Sequence, residues 1–317
     1  MIMRKLAPFE RRVSRDWEEV LRTAGDGPDR LTYVPGLVGD VTEWIVETSM
    51  LPNRMMALGV ALVVVGTIIG RKVLGPTGNM THLYIVVLAP SCSGKNDPMV
   101  RGSDLIAAVV GKDADLILGD TTWRSGLGME RMLAEYPVRV CFIDEVGDQL
   151  LKINAQVGNT YVSETTSVLK IAYNNRAKIR VGRTNKEVGP KIFDPALSLY
   201  CAATPAKFWG GLSVGDLESG VVNRFDVLPV MDTPADHFRI IPYKATIPPA
   251  WLVEDLRKLP RHRTLDALDH SNTEDGEEVI WPKVEDWHHQ RWGSGEAEEL
   301  WMKAAHKAQT RRIRPGS

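Results

Sequence analysis

Three short apolar runs stand out along the chain: Leu83–Leu88 (LYIVVL), Val138–Ile143 (VRVCFI) and Ala196–Ala202 (ALSLYCA). Each is bounded by turn or polar residues and reads as a strand buried on both faces. Between and before them lie longer stretches of helical character. Val41–Ser49 and Arg54–Ile69 form two of these, split by Leu51-Pro52-Asn53, with Asn53 in the N-cap position of the second. A further helix is expected from about Met99 to Val110. Strands that alternate with helices predict a parallel sheet covered on both faces, an α/β fold.

The flanks differ from this core. Residues 1–35 are charged, and a peripheral helix followed by a loop is expected there. After Arg239 come a Pro-rich 242–260, a charged 261–278 and a Trp-rich 281–301, which read as a mostly helical end segment. The expected division is therefore a helical region over 1–75, an α/β core over 76–240 and a helical or irregular segment over 241–317. No internal repeat is visible.

Met55–Gly70 is a run of 16 residues without a charge, closed by Arg71 and Lys72. It is short for a bilayer span, and a buried helix is the reading preferred here. The first 17 residues carry no apolar signal region, so a cytoplasmic, non-membrane protein is expected. In the full sequence of 317 residues, 39 Lys and Arg face 40 Asp and Glu, so polyanion binding must come from a local patch rather than a global field. The cysteines Cys92, Cys141 and Cys201 are odd in number and widely spaced, which argues against zinc and for a reducing compartment.

The first strand runs directly into Ala89-Pro90-Ser91-Cys92-Ser93-Gly94-Lys95-Asn96. The pattern G-x-x-x-x-G-K-[ST] between a strand and a helix cradles phosphates. Backbone N–H groups curl around the anion, the next helix presents its positive end, and a lysine adds a mobile charge. Gly94 and Lys95 keep that pattern. Ala89 replaces the first glycine, and Asn96 replaces the hydroxyl residue that would touch Mg²⁺. ATP and Mg²⁺ are the expected ligands, with Asn96 and Asp144 at the metal. Cys92 has two readings, a reactive thiol near a helix start or a small filler, and the filler is preferred.

The second strand ends in Asp144-Glu145, as in a Walker B element: the Asp for the metal's water shell, the Glu for the attacking water. The third strand ends near Thr204, where ligands of open α/β sheets gather. That hydroxyl either senses the γ-phosphate or caps the next helix. Arg224, in Gly220-Val-Val-Asn-Arg-Phe225, suits an arginine finger supplied by a neighbouring subunit, or else an ion pair with Asp216 or Asp226.

Between the second and third strands, Lys170–Lys191 carries seven Lys or Arg and a single acid, Glu187. A β-hairpin turning at Gly182-Arg183-Thr184-Asn185 is expected, with Lys178, Arg180, Arg183 and Lys186 as candidate nucleic-acid contacts or as a solvated basic face. The basic Lys303–Arg314 reads as a solvated helix end, and His288-His289 as surface residues.

Taken in order, LYIVVLAPSCSGKNDPM, VCFIDEVGDQL and ALSLYCAATPAKFWGGLSVGDLESGVVNRF resemble the helicase-like P-loop ATPase domain of phage and plasmid replication proteins, a domain often fused behind a primase–polymerase domain. The resemblance covers about residues 35–240. It implies a RecA/AAA+-like P-loop NTPase, a nucleotide site of Lys95, Asp144, Glu145, Thr204 and Arg224, and homo-oligomers such as hexameric rings acting on single-stranded or forked DNA, with a primase or other replication protein as partner. Priming itself is not carried over. Two other expectations stand beside the motor: a weakly hydrolysing nucleotide switch or loader, and a DNA-packaging or defence ATPase.

Overall fold

The computed structural model describes residues 28–122, 125–155, 160–184, 187–230, 238–261, 272–274, 277–281, 284, 287–291, 298–299 and 302–303. Two helices come first, α1 (Gly36–Thr48) and α2 (Arg54–Ile68). Asn53 caps α2, its side chain accepting the Met56 N–H at 3.1 Å, as the sequence leads one to expect. Strand β1 (Tyr84–Leu88) leads through the 89–95 loop into α3 (Asn96–Val110). That helix starts three residues before the Met99 predicted. Next are α4 (Gly126–Glu135), β2 (Val138–Ile143), α5 (Val146–Ala155) and α6 (Thr160–Tyr173). Short strands β3 (Lys178–Arg180) and β4 (Lys191–Phe193) precede β5 (Ala196–Ala203), α7 (Pro205–Gly211) and β6 (Phe225–Pro229). Helix α8 (Ala250–Arg257) and strand β7 (Glu277–Trp281) lie in the C-terminal part.

The central sheet is parallel throughout, in the order β2-β5-β1-β6, and a bridge between Leu118 and Val140 extends it beyond β2. All residues of β1, β2 and β5 are buried, as expected of strands covered on both faces. Side-chain alternation divides the two layers. Tyr84 points to α6, its hydroxyl donating to the Leu169 carbonyl at 3.0 Å. Ile85 and, beside it in register, Tyr200 face α2, where the Tyr200 hydroxyl donates to Met56 O at 3.2 Å. Both phenols therefore enter the core with their polar ends satisfied.

Glycines let the helices approach. A Cβ on Gly59 of α2 would lie 3.0 Å from the Tyr200 ring, and one on Gly102 of α3 would lie 2.6 Å from Val60. The uncharged run 55–70 is thus a core helix against the sheet. Among the described residues, no helix is long and apolar enough to cross a membrane.

Three features depart from the sequence reading. β6 is a fourth central strand that the apolar runs do not reveal. The basic hairpin extends further than a turn at 182–185: its strands are β3 and β4, and Arg183–Thr184, expected in the turn, pair with Glu187–Val188. Among the described residues the C-terminal part contributes strands as well as helix: β7 joins β4 in parallel and pairs with Asn272–Glu274, giving a second sheet ordered 272–274, β7, β4, β3. The backbone of His288–His289 pairs with Val73–Leu74. Helix α8 nonetheless belongs to the core: Arg257 donates to Ala108 O at 2.7 Å and Val109 O at 3.1 Å, closing the carbonyl end of α3.

Candidate functional site

β1 ends at the carboxyl edge of the sheet, and the Ala89 N–H still donates to Ala203 O of β5 at 3.0 Å. The chain then turns sharply. Cys92 has φ 60° and Gly94 φ 76°, both left-handed, whereas Lys95 returns to right-handed helical values at φ −57°. Left-handed residues alternating with right-handed ones gather N–H groups on one side of a loop, an anion-binding concavity. Helix α3 starts directly behind it and aims its positive end there.

The loop is braced from outside. A Cβ on Gly94 would lie 2.9 Å from Leu51 Cβ, so the α1–α2 connection presses on the backbone at that point. Asp97, in the first turn of α3, accepts the Met50 N–H at 2.8 Å, and Arg101 stands 3.7 Å from the same carboxylate. Ser93 is buried, and its hydroxyl has no hydrogen-bond partner among the described residues. A buried, unpaired hydroxyl inside a loop of this form is one more donor available to a ligand oxygen.

Lys95 is buried along its stem and delivers its Nζ to Glu145 Oε1 at 2.6 Å, with Asp144 Oδ1 at 3.8 Å. The two carboxylates follow β2, next to β5 and one strand removed from β1, so the adjacent carboxyl ends of the parallel strands bring them to the loop. Glu145 is itself left-handed, φ 52°, and its N–H donates to Asp144 Oδ1 at 2.9 Å. A non-glycine residue held there costs about 1–3 kcal/mol, strain that collects at functional sites. Its other oxygen, Oε2, is enclosed and faces Lys207 Nζ at 3.6 Å, too long for a hydrogen bond but within ion-pair range. Lys207 also donates to Asp148 at 2.8 Å, and that hydrogen bond, more than Glu145, raises its ammonium above the ordinary lysine range.

Other expected residues fall at varied distances from this centre. Thr204 ends β5 and occupies the N-cap of α7, where its side chain makes no capping hydrogen bond. The capping reading of that hydroxyl is therefore not what the geometry displays. Asn96 is exposed at the start of α3 and Asp144 is exposed at the end of β2. An amide oxygen and a carboxylate are hard oxygen donors, a set that fits Mg²⁺ completed by water and phosphate oxygens. Among the described residues, no group of three or more His, Cys, Asp or Glu is placed to hold a metal on its own.

Arg224 lies elsewhere. It precedes β6, whose Phe225 pairs with Tyr84 at the start of β1, so it sits at the amino edge, the length of a strand (about 13 Å) from the loop. There its guanidinium donates to Gly220 O at 2.7 Å and Asn174 Oδ1 at 3.5 Å, and lies 5.9 Å from the centre of the Tyr173 ring. Within one chain it does not join Lys95. Of the hairpin residues, Lys178 is exposed, with its Nζ 5.3 Å from the centre of the Phe193 ring, and Arg180 pairs with Lys191 across the strands. Arg183 is described by its backbone alone, and Lys186 lies outside the described residues, as does most of 303–314.

Sequence reasoning missed Lys207 and Asp148. Each follows a site residue by three positions, Thr204 and Glu145, and that helical spacing was the available signal. No family model matches the chain, and no match is found among the curated proteins.

Proposed function

We propose that this chain is an ATP-binding and ATP-hydrolysing, helicase-like motor subunit acting on DNA in phage or plasmid replication, built on a RecA/AAA+-like P-loop core. The observation that carries the reading is the meeting of Lys95 with Glu145 at 2.6 Å and Asp144 at 3.8 Å, at the rim of a left-handed loop that opens a helix. A lysine, two carboxylates and a ring of backbone donors at the carboxyl edge of a parallel sheet are what phosphoryl transfer to water requires.

With a triphosphate on the 89–96 loop, Lys95 passes from Glu145 to the phosphate oxygens, where it neutralises charge. Glu145 then accepts a proton from water as the water oxygen bonds to the γ-phosphorus. The bond from that phosphorus to the β–γ bridging oxygen breaks, and ADP leaves with its electron pair. Asn96 and Asp144 would hold Mg²⁺, which would supply neutralisation of phosphate charge. Thr204 would hold the water or sense the γ-phosphate, and Arg224 of a neighbouring copy would complete the charge stabilisation. The basic β3–β4 hairpin supports DNA as the polymer acted upon.

Asn96 favours a second reading, a weakly hydrolysing switch or loader that recruits a replication partner, because an amide is a less adaptable Mg²⁺ ligand than a hydroxyl. ATP turnover with and without single-stranded DNA separates the two. A motor shows DNA-stimulated hydrolysis that Glu145→Gln removes; a switch binds ATP with little turnover in either condition. Substantial hydrolysis that persists undiminished in Glu145→Gln would defeat both.

A further inference from the structure

Glu145 bridges two ammonium groups. Lys95 takes Oε1 at 2.6 Å, and Lys207 faces Oε2 at 3.6 Å while seated on Asp148 at 2.8 Å. The two lysines differ in freedom. Lys95 belongs to the phosphate loop and has phosphate oxygens to move to, whereas Lys207 stands in the first turn of α7, outside that loop.

The backbone beneath Lys207 is fixed by close helix packing. A Cβ on Gly147 of α5 would lie 2.6 Å from the carbonyl carbon of Lys207, and one on Gly211 of α7 would lie 2.7 Å from Gly147 O. Only paired glycines allow α5 and α7 to approach so nearly, and α5 begins directly after Glu145. Phe208, buried next to Lys207, holds α7 in the core. The Lys207 backbone is therefore held against α5 by the fold, and its half-exposed side chain spans from there to Asp148 and Glu145.

We propose that Lys207, seated on Asp148, is a positioning residue for Glu145: it retains Oε2 while Lys95 passes to the phosphates, and so aims Oε1 at the attacking water. A carboxylate released by one lysine and held by nothing else would rotate, and the productive alignment would be one orientation among several. With Oε2 retained, the other oxygen stays directed into the site. This rests on the reading of the site as an ATP-hydrolysing one.

Steady-state hydrolysis by the full chain, paired with binding of a non-hydrolysable ATP analogue, tests the proposal. In Lys207→Met, kcat falls roughly 10–100-fold. KM and analogue affinity stay within about twofold. Lys207→Arg keeps most of the rate, and Asp148→Asn, which unseats the lysine without removing it, falls between. Equal kcat in Lys207→Met and the unaltered chain overturns the proposal, and so does an increase, which would make Lys207 a brake. Should Lys207→Met lose its circular dichroism spectrum, Asp148→Asn decides, since an unchanged kcat there overturns it equally. A different result, no analogue binding by the unaltered chain or full hydrolysis in Glu145→Gln, faults the nucleotide reading instead.

Discussion

Cys92 and Gly94, within three residues of Lys95, and Glu145, which Lys95 touches, all adopt positive φ, at 60°, 76° and 52°. Only one of the three is a glycine, so the site holds two residues in a conformation they disfavour. Gly94 has the least room to change. Its φ favours glycine, and an added Cβ would meet Leu51 Cβ at 2.9 Å. Gly94→Ala should therefore cost about 1–3 kcal/mol of stability and weaken ATP-analogue binding at least tenfold, measured by urea unfolding and by titration. Lys95, Asp144 and Glu145 were legible because each lies in a short local signature beside a strand. Lys207 was not, because its role depends on two helices meeting through Gly147 and Gly211.

His82 makes the stability of the fold depend on pH. His82 is buried, its Nε2 lies 2.9 Å from Tyr173 O, and its Nδ1 has no partner among the described residues. Burial lowers its pKa, the carbonyl opposing only in part. A proton taken up at Nδ1 finds no acceptor. The unfolded chain protonates this ring below about pH 6.5, while the folded chain does not until a lower pH. More protons are then bound in the unfolded state, so stability falls as pH drops below that value. Chemical unfolding at pH 7 and 5.5 should show a smaller loss in His82→Gln than in the unaltered chain.

Among the elements, the strands with continuous apolar runs and the capped helix α2 were legible to within a few residues, because burial on both faces leaves an unbroken signature. β6 escaped because its sequence, FDVLP, places an aspartate and a proline on an edge strand that is only partly buried. β7 escaped for a different reason: its partner, β4, lies far back in the chain, and long-range pairing leaves no local period. Helix α2 depends on Gly66, whose added Cβ would stand 2.4 Å from the Thr81 carbonyl oxygen, while Thr81 Oγ1 donates to Gly66 O at 2.8 Å. Gly66→Ala should destabilise the chain by about 1–3 kcal/mol with the denaturant slope unchanged, read from urea titration.

The whole molecule has a polarity. The 89–96 loop and both carboxylates occupy the carboxyl edge of the sheet, and Arg224 and the base of the hairpin lie at the amino edge. An arginine so placed does not meet Lys95 within one chain; under the proposed function it would reach a phosphate on a second copy. Arg224→Ala should lower hydrolysis roughly 10³-fold. In the unaltered chain, specific activity should rise with protein concentration. Mixing Arg224→Ala with Glu145→Gln should restore part of the activity, since some contacts then pair an intact Glu145 with an intact Arg224. If the mixture stays as inactive as its components, the arrangement between copies is wrong.

In the proposed function Lys95, Asp144 and Glu145 enclose a triphosphate. Equilibrium titration of the chain with a non-hydrolysable ATP analogue and Mg²⁺, beside Lys95→Ala, tests it most directly. Saturable binding is predicted for the unaltered chain, weakened at least tenfold (about 1.4 kcal/mol) in Lys95→Ala. No binding by the unaltered chain at millimolar analogue, or equal affinity in the two proteins, would contradict the account.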